Sequence, residues 1–133
     1  NLTILHCVSS YPADIRSCNL NSIKYLKNKL KCKIGWSDHT VNSAIIIDVI
    51  EKFDCSTIEF HIDLDKKGFE YSGGHCWLPG EIKNVIDFYK YRNEIYGKYT
   101  KICSKAEKHE SLMRADPVDG LRPLTGARHN LGK

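Results

Sequence analysis

This sequence has no uninterrupted apolar run longer than Ala44 to Ile47, whereas a membrane-spanning helix needs about 20 apolar residues in succession. A helical membrane span is therefore excluded. Blocks of like charge are also missing. The 20 Lys and Arg stand against 16 Asp and Glu, a net charge of +4, and the lysines are spread over every segment. That argues against a nucleic-acid surface. There is no CxxC pair: Cys7, Cys18, Cys32, Cys55, Cys76 and Cys103 lie far apart and read as free thiols of a reducing cytoplasm, not as a disulfide scaffold. A basic leader is lacking too, since Asn1 to Leu5 runs straight into His6 without an initiator Met, which points to a cytoplasmic protein and to a piece of a longer chain. Low-complexity sequence is absent, and 41% hydrophobic with 27% charged residues over 133 positions describes one globular domain able to bury roughly two-thirds of its unfolded surface.

What is present is a repeated alternation of apolar runs and amphipathic segments. Leu2 to Val8 reads as a buried strand stopped by Ser9-Ser10-Tyr11-Pro12. Asn19 or Asn21 would cap a helix carrying Ile23, Leu26 and Leu30 on one face and lysines on the other. Cys32 to Trp36 reads as a second strand ending in a polar turn, Ser37 to Thr40, before a helix over Ala44 to Ile50 that is apolar on more than one side. The alternating run Thr57 to Asp63 is a third strand. After a Gly-rich loop, Pro79 opens a third helix with Ile82, Val85, Ile86 and Tyr89 on its apolar face. Residues 101–133 show no sustained period and read as an extended tail.

Three strand–helix units in succession imply parallel strands with right-handed crossovers. The expected fold class is α/β, either a doubly wound sheet or units of a (β/α)8 barrel. Because a barrel needs about 250 residues, residues 1–100 would supply three of its eight units, an incomplete barrel. In both architectures ligand sites gather at the carboxyl ends of the strands. Those ends are chemically rich here: His6, Ser9 and Tyr11 after the first, Ser37, Asp38 and His39 after the second, and Glu59, His61 and Asp63 in the third. Two imidazoles with a carboxylate can hold Mn²⁺, Mg²⁺, Fe²⁺ or Zn²⁺, Asp38 or Asp63 serving as ligand or as orienting partner. The same residues also fit blander roles: hydrogen-bonded histidines in a polar interior, Asp38 as the N-cap of the second helix, Tyr11 as a lid over the barrel end, and His6 as a core histidine.

The strings Ile4 to Pro12 (ILHCVSSYP), Asn19 to Lys27 (NLNSIKYLK), Ile34 to Thr40 (IGWSDHT) and Ile58 to Asp65 (IEFHIDLD) resemble the second half of the barrel of the sialic acid synthase family, which includes the N-acetylneuraminate, legionaminate and pseudaminate synthases. The resemblance runs from about Leu2 to about Tyr91. It implies condensation of phosphoenolpyruvate with an N-acetylated aldose such as N-acetylmannosamine, giving a nine-carbon 2-keto acid and phosphate, with a divalent ion, Mn²⁺ or Mg²⁺, on His39 and His61. By the same match, Ser37 and Ser9 contact substrate, Tyr11 lies against the acceptor sugar, and Glu59 organises the site. Glu59 and Tyr11 are thus the catalytic candidates, and Ser37, Ser9, Tyr11, Asp38 and Glu70 the substrate contacts.

Two departures stand out. The family's Pro-Gly-Pro-Asp motif is replaced by Lys66 to His75, leaving Glu70 and His75 as candidates for its acceptor contact. The upstream barrel half and the C-terminal antifreeze-like domain are not in this sequence, so the expected partners are the two substrates and the missing barrel half or a second copy, as a homo-oligomer, with neither nucleic acid nor membrane. The alternative readings are a non-catalytic barrel-half module and another phosphoenolpyruvate–aldose synthase of the keto-deoxy-sugar kind.

Overall fold

The computed structural model describes residues 2–130. Strands β1 (Thr3–Cys7), β2 (Lys33–Asp38), β3 (Ile58–Ile62) and β4 (Cys76–Trp77) form one sheet in chain order, and every neighbouring pair is parallel. Between and after them run α1 (Asn21–Lys29), α2 (Ser43–Glu51), α3 (Phe69–Ser72), α4 (Pro79–Tyr96) and α5 (Thr125–Arg128). Four parallel strands in sequential order, joined through helices, are a section of a barrel wall. The expectation of three units is met, with an added strand.

The two-residue period of the strands sorts the side chains. Ile4, Val8, Ile34, Trp36 and Ile58 pack with Ile23 of α1 and Val49 of α2 in one cluster, and Phe60 and Trp77 with Ile46 of α2 and Ile82 and Val85 of α4 in another. Trp36, Ile23 and Val49 are completely buried, and each large apolar side chain so placed contributes roughly 1.5–3 kcal/mol. The alternate residues, Ser37, Glu59, His61 and Cys76, are left for the opposite face. Gly35 occurs where the strands crowd: a Cβ there would stand 2.4 Å from the Thr57 carbonyl oxygen and 2.6 Å from Leu5 Cδ2.

Several local expectations are corrected. β2 runs on through Ser37 and Asp38, read from sequence as a turn, because they pair in register with Glu59 and Phe60. Asp38 does not cap α2; Asn42 does, its Oδ1 accepting from Ala44 N at 3.0 Å and Ile45 N at 3.4 Å. Nor does either asparagine cap α1. Leu20 holds that position without a side-chain bond, while Asn19 adopts φ +42° and donates to Ser22 Oγ at 2.8 Å. β4 lies inside the stretch read as a Gly-rich loop.

The described residues divide into two units, one ending at Tyr96 and the other beginning at Gly97. In the second, where the sequence shows no sustained period, the chain forms a 3₁₀ turn (His109–Met113), α5 and a tightly bonded loop. Asp116, nearly buried, accepts from Val118 N, Thr125 N and Thr125 Oγ1 at 2.6 to 2.9 Å. Arg128 pairs with Asp119 and donates to the carbonyls of Pro123 and Leu121. Short Asp-centred turns of this kind leave no hydrophobic period for a sequence reading to detect.

Candidate active site

Three strand ends and the loop before the fourth bring four rings together. The segment after β1 is tied to the end of β2 by Ala13 N donating to the His39 carbonyl at 2.9 Å, which sets Tyr11 over His39 with ring centres 4.2 Å apart. His39 and His61 lie 5.2 Å apart, His61 and His75 5.1 Å, and Tyr11 and His75 5.0 Å. The expected convergence of His39 and His61 is therefore observed.

Each of these two imidazoles has one nitrogen fixed by an oxygen. His39 is buried, and its Nδ1 is 2.8 Å from the Val8 carbonyl. A carbonyl only accepts, so Nδ1 carries the proton and Nε2 keeps its lone pair. His61 Nδ1 is 3.0 Å from Glu70 Oε2, and the same logic leaves its Nε2 unengaged when the ring is neutral. The hydrogen bond from His61, helped by the nearby His61 and His75, holds the Glu70 carboxyl below the usual carboxylate range. Imidazoles oriented by an oxygen on the far nitrogen are the usual form of metal-binding histidines. By this test the donor set at His39 and His61 fits a divalent cation.

Ser37 and Glu59, paired in register across β2 and β3, share a hydrogen bond: Ser37 Oγ donates to Glu59 Oε1 at 2.8 Å. Ser9 is exposed on the first loop, 3.8 Å from Cys7 Sγ, and that sulfur lies 4.0 Å from His39 Nδ1. Glu70, expected against substrate, is engaged by His61.

Other candidates lie elsewhere. Asp38, expected among the substrate contacts, has no exposure and points to the helix side of β2. Its Oδ1 accepts from Trp36 Nε1 (3.1 Å) and Thr40 Oγ1 (2.7 Å), and its Oδ2 from Trp77 Nε1 (2.9 Å) and Val41 N (3.1 Å). With four donors on two oxygens it is a structural tie between β2 and β4. Asp63 is similarly engaged, taking the amides of Asp65, Lys66 and Gly68. His6 bonds the Cys18 carbonyl at 2.9 Å, the core role anticipated for it.

From sequence His75 is only a candidate acceptor contact, and Cys76 has no assigned role. Both are buried, and burial pushes the Cys76 thiol up, with Glu70 and Asp63 adding to the effect. The signal that could have found them is their adjacency after Gly73-Gly74, a place where the chain can turn sharply back toward the third strand.

Comparison with known proteins accords with this geometry. The model of the NeuB family matches residues 1–101. The chain is 32% identical over 119 residues to the N,N'-diacetyllegionaminic acid synthase of Campylobacter jejuni, covering 89% of this chain and 35% of that enzyme. It is 36% identical over 84 residues to the N-acetylneuraminate-9-phosphate synthase of Drosophila melanogaster, covering 60% of this chain and 22% of that enzyme. The crystal structure of the N-acetylneuraminic acid synthetase of Leptospira borgpetersenii, in complex with citrate, superposes with a TM-score of 0.60 at 28% identity, over 81% of this chain and 38% of that one. The chain thus spans about a third of the length of the curated relatives it matches.

Proposed function

Since the chain belongs to the NeuB family of sialic-acid-type synthases, we propose that it forms the cation-binding section of an enzyme condensing phosphoenolpyruvate with an N-acetylated aldose to give a nine-carbon 2-keto acid and inorganic phosphate. The observation that carries this reading is the meeting of His39 and His61, each with Nδ1 held by an oxygen, beside Ser37 and Glu59. A Mn²⁺ or Mg²⁺ ion held by His39 and His61 supplies, when bound, polarisation of the aldehyde oxygen.

In the reaction, a bond forms between carbon 3 of phosphoenolpyruvate and the aldehyde carbon, whose oxygen takes up a proton. Water adds at carbon 2, and phosphate leaves from the resulting tetrahedral centre. Ser37 carries one hydroxyl proton, which in this structure is given to Glu59. Glu59 is thus the positioning partner that holds the hydroxyl in place before substrate binds, and Ser37 then turns that proton to a carboxylate or phosphate oxygen of the substrate in exchange for the bond to Glu59. The half-exposed Tyr11, stacked against His39, offers a wall for the sugar. Ser9, at the rim, offers a second hydroxyl donor. Glu70 keeps His61 in one tautomer and orientation.

β1 and β4 each have one unpaired edge in this sheet, and parallel strands are normally covered on both sides. The proposed occupant is the rest of a barrel, from the same protein or a second copy. We place the reaction in the cytoplasm, which suits six cysteines that are all free thiols. Among the described residues no helix is long and apolar enough to cross a membrane.

The test is release of phosphate from phosphoenolpyruvate by the protein with N-acetylmannosamine and Mn²⁺, with the product identified by mass. The expected result is aldose-dependent release, reduced roughly 100-fold by His39→Ala or His61→Ala, on the scale that disturbing a metal's surroundings has elsewhere. Phosphate release independent of the aldose, or none from the completed assembly, would overturn the reading.

A further inference from the structure

Beside the His39–His61 pair, the structure holds a second donor set. Among the described residues, one group of three or more metal-competent side chains occurs: His61, Glu70, His75 and Cys76, whose ligand atoms all lie within 4.8 Å of one another. His39 is not in it. β4 creates the group, because pairing places Cys76 directly opposite His61, and the turn before it folds His75 inward. Gly74 takes φ +83°, a conformation that disfavours other residues, and a Cβ on Gly73 would lie 3.2 Å from His75 Nδ1.

The second observation is a polar atom without a partner. His75 is 6% exposed and its Nδ1 is buried with no hydrogen bond. A buried nitrogen left in that state costs about 1–3 kcal/mol, and native folds retain such groups where something else engages them. Nearby, Glu70 Oε2 is engaged by His61, and the Gly73 and Gly74 amides donate to the carbonyls of Phe69 and Tyr71.

We propose that His61, His75 and Cys76, with Glu70 at the rim, form a binding site for a thiophilic divalent cation, Zn²⁺ above all. This goes beyond the synthase reading, since its donor set differs from the His39–His61 pair in two buried residues. One thiolate and two imidazoles, with a carboxylate oxygen available, match a tetrahedral N/S/O environment and disfavour Mg²⁺ and Ca²⁺. Bond lengths of about 2.0 to 2.3 Å place ligands about 3.3 to 3.8 Å apart, so closing the group on an ion takes side-chain movements of about 1 Å at its widest span. Both donor sets use His61, so an ion here withdraws that imidazole from His39.

The experiment is Co²⁺ titration of the reduced full chain, followed by absorbance. The expected result is a thiolate-to-cobalt charge-transfer band at one equivalent, displaced by one equivalent of Zn²⁺. His75→Gln should weaken Co²⁺ binding tenfold or more. Cys76→Ser should remove the band while circular dichroism is unchanged. His39→Ala should leave the band intact, which separates this site from the one in the synthase reading. A protein in which Cys7, Cys32 and Cys103 are all replaced by Ser should keep the band, and this variant serves if those at positions 75 and 76 do not fold. Absence of the band at saturating Co²⁺, its survival in Cys76→Ser, its loss in the triple-serine protein, or equal losses from His39→Ala and His75→Gln would each overturn the proposal.

Discussion

Removing the carboxylate of Asp38 tests the geometry most directly. Two of its four donors are indole N–H groups of fully or nearly buried residues, Trp36 and Trp77, which have no route to water. The other two belong to partly exposed residues, Thr40 and Val41, which can find solvent. Asp38→Ala therefore strands two buried donors. At about 1–3 kcal/mol each this comes to about 2–6 kcal/mol, a large share of the roughly 5–15 kcal/mol available to a domain. Asp38→Asn keeps one accepting oxygen, and whichever way its amide turns one indole faces an N–H, so the expected loss is about 1–3 kcal/mol. In a Trp77→Phe background the amide can turn its oxygen toward Trp36, and the Asn substitution should then cost less by about 1 kcal/mol. The assay is urea unfolding followed by tryptophan fluorescence, which reports on the two indoles themselves, alongside circular dichroism. A loss below 0.5 kcal/mol for Asp38→Ala, taken here as roughly the scale of an ordinary surface substitution, or a cycle with no coupling, would refute the reasoning.

Three further outcomes are expected. Mn²⁺ titration read by paramagnetic relaxation should show weaker binding in His39→Ala and His61→Ala than in the parent protein; equal binding by all three would remove the cation from that pair. Gly35→Ala, whose methyl meets the Thr57 carbonyl and Leu5, should cost about 1–3 kcal/mol by overpacking in the same urea assay, and a neutral result would mean that the strands separate freely there. In the second unit, the hydrogen bond from Arg128, with that from Leu121 N, lowers the Asp119 carboxyl to about 2. A depressed carboxylate stabilises above its unfolded value and loses that contribution as pH falls through its folded one. Amide exchange in residues 116–128 should thus stay slow down to about pH 4 and quicken toward pH 2; quickening that is complete above pH 4 would contradict the pairing.

The parts of this fold legible in the sequence are those with a period or an apolar run between polar turns. β3 declares itself by alternation, α1 by helical spacing and the start of α4 by the proline at its first turn, while β1 and α2 show as apolar runs bounded by polar turns. The convergence of His39 and His61 followed from their places at adjacent strand ends. What escaped notice had no period to show. β4 is two residues long, and its pairing is imposed by β3, not by its own composition. Asp38 reads from sequence as a cap, a ligand or its orienting partner, or a substrate contact, because sequence does not reveal that β2 continues past Trp36 and so turns Ser37 and Asp38 to opposite faces. His75 stood out little because its role depends on the partner it lacks. The NeuB resemblance was carried by short strings whose spacing matched strand ends, the positions a barrel holds most rigidly.

The loop after β3 gathers on Asp63. Asp63 gathers the amides of Asp65, Lys66 and Gly68 on its two oxygens and gives its own amide to the Trp77 carbonyl. The turn at residues 65–68 is thus held to Asp63 through backbone amides, with Asp65 Oδ1 accepting from Lys67 N at 3.2 Å and Lys66 taking φ +67°. Side chains of this turn that take no part in those bonds can be exchanged with little effect on the strand that carries His61. That makes the segment a cartridge beside β3, open to regrafting while Asp63 and Gly68 are left untouched.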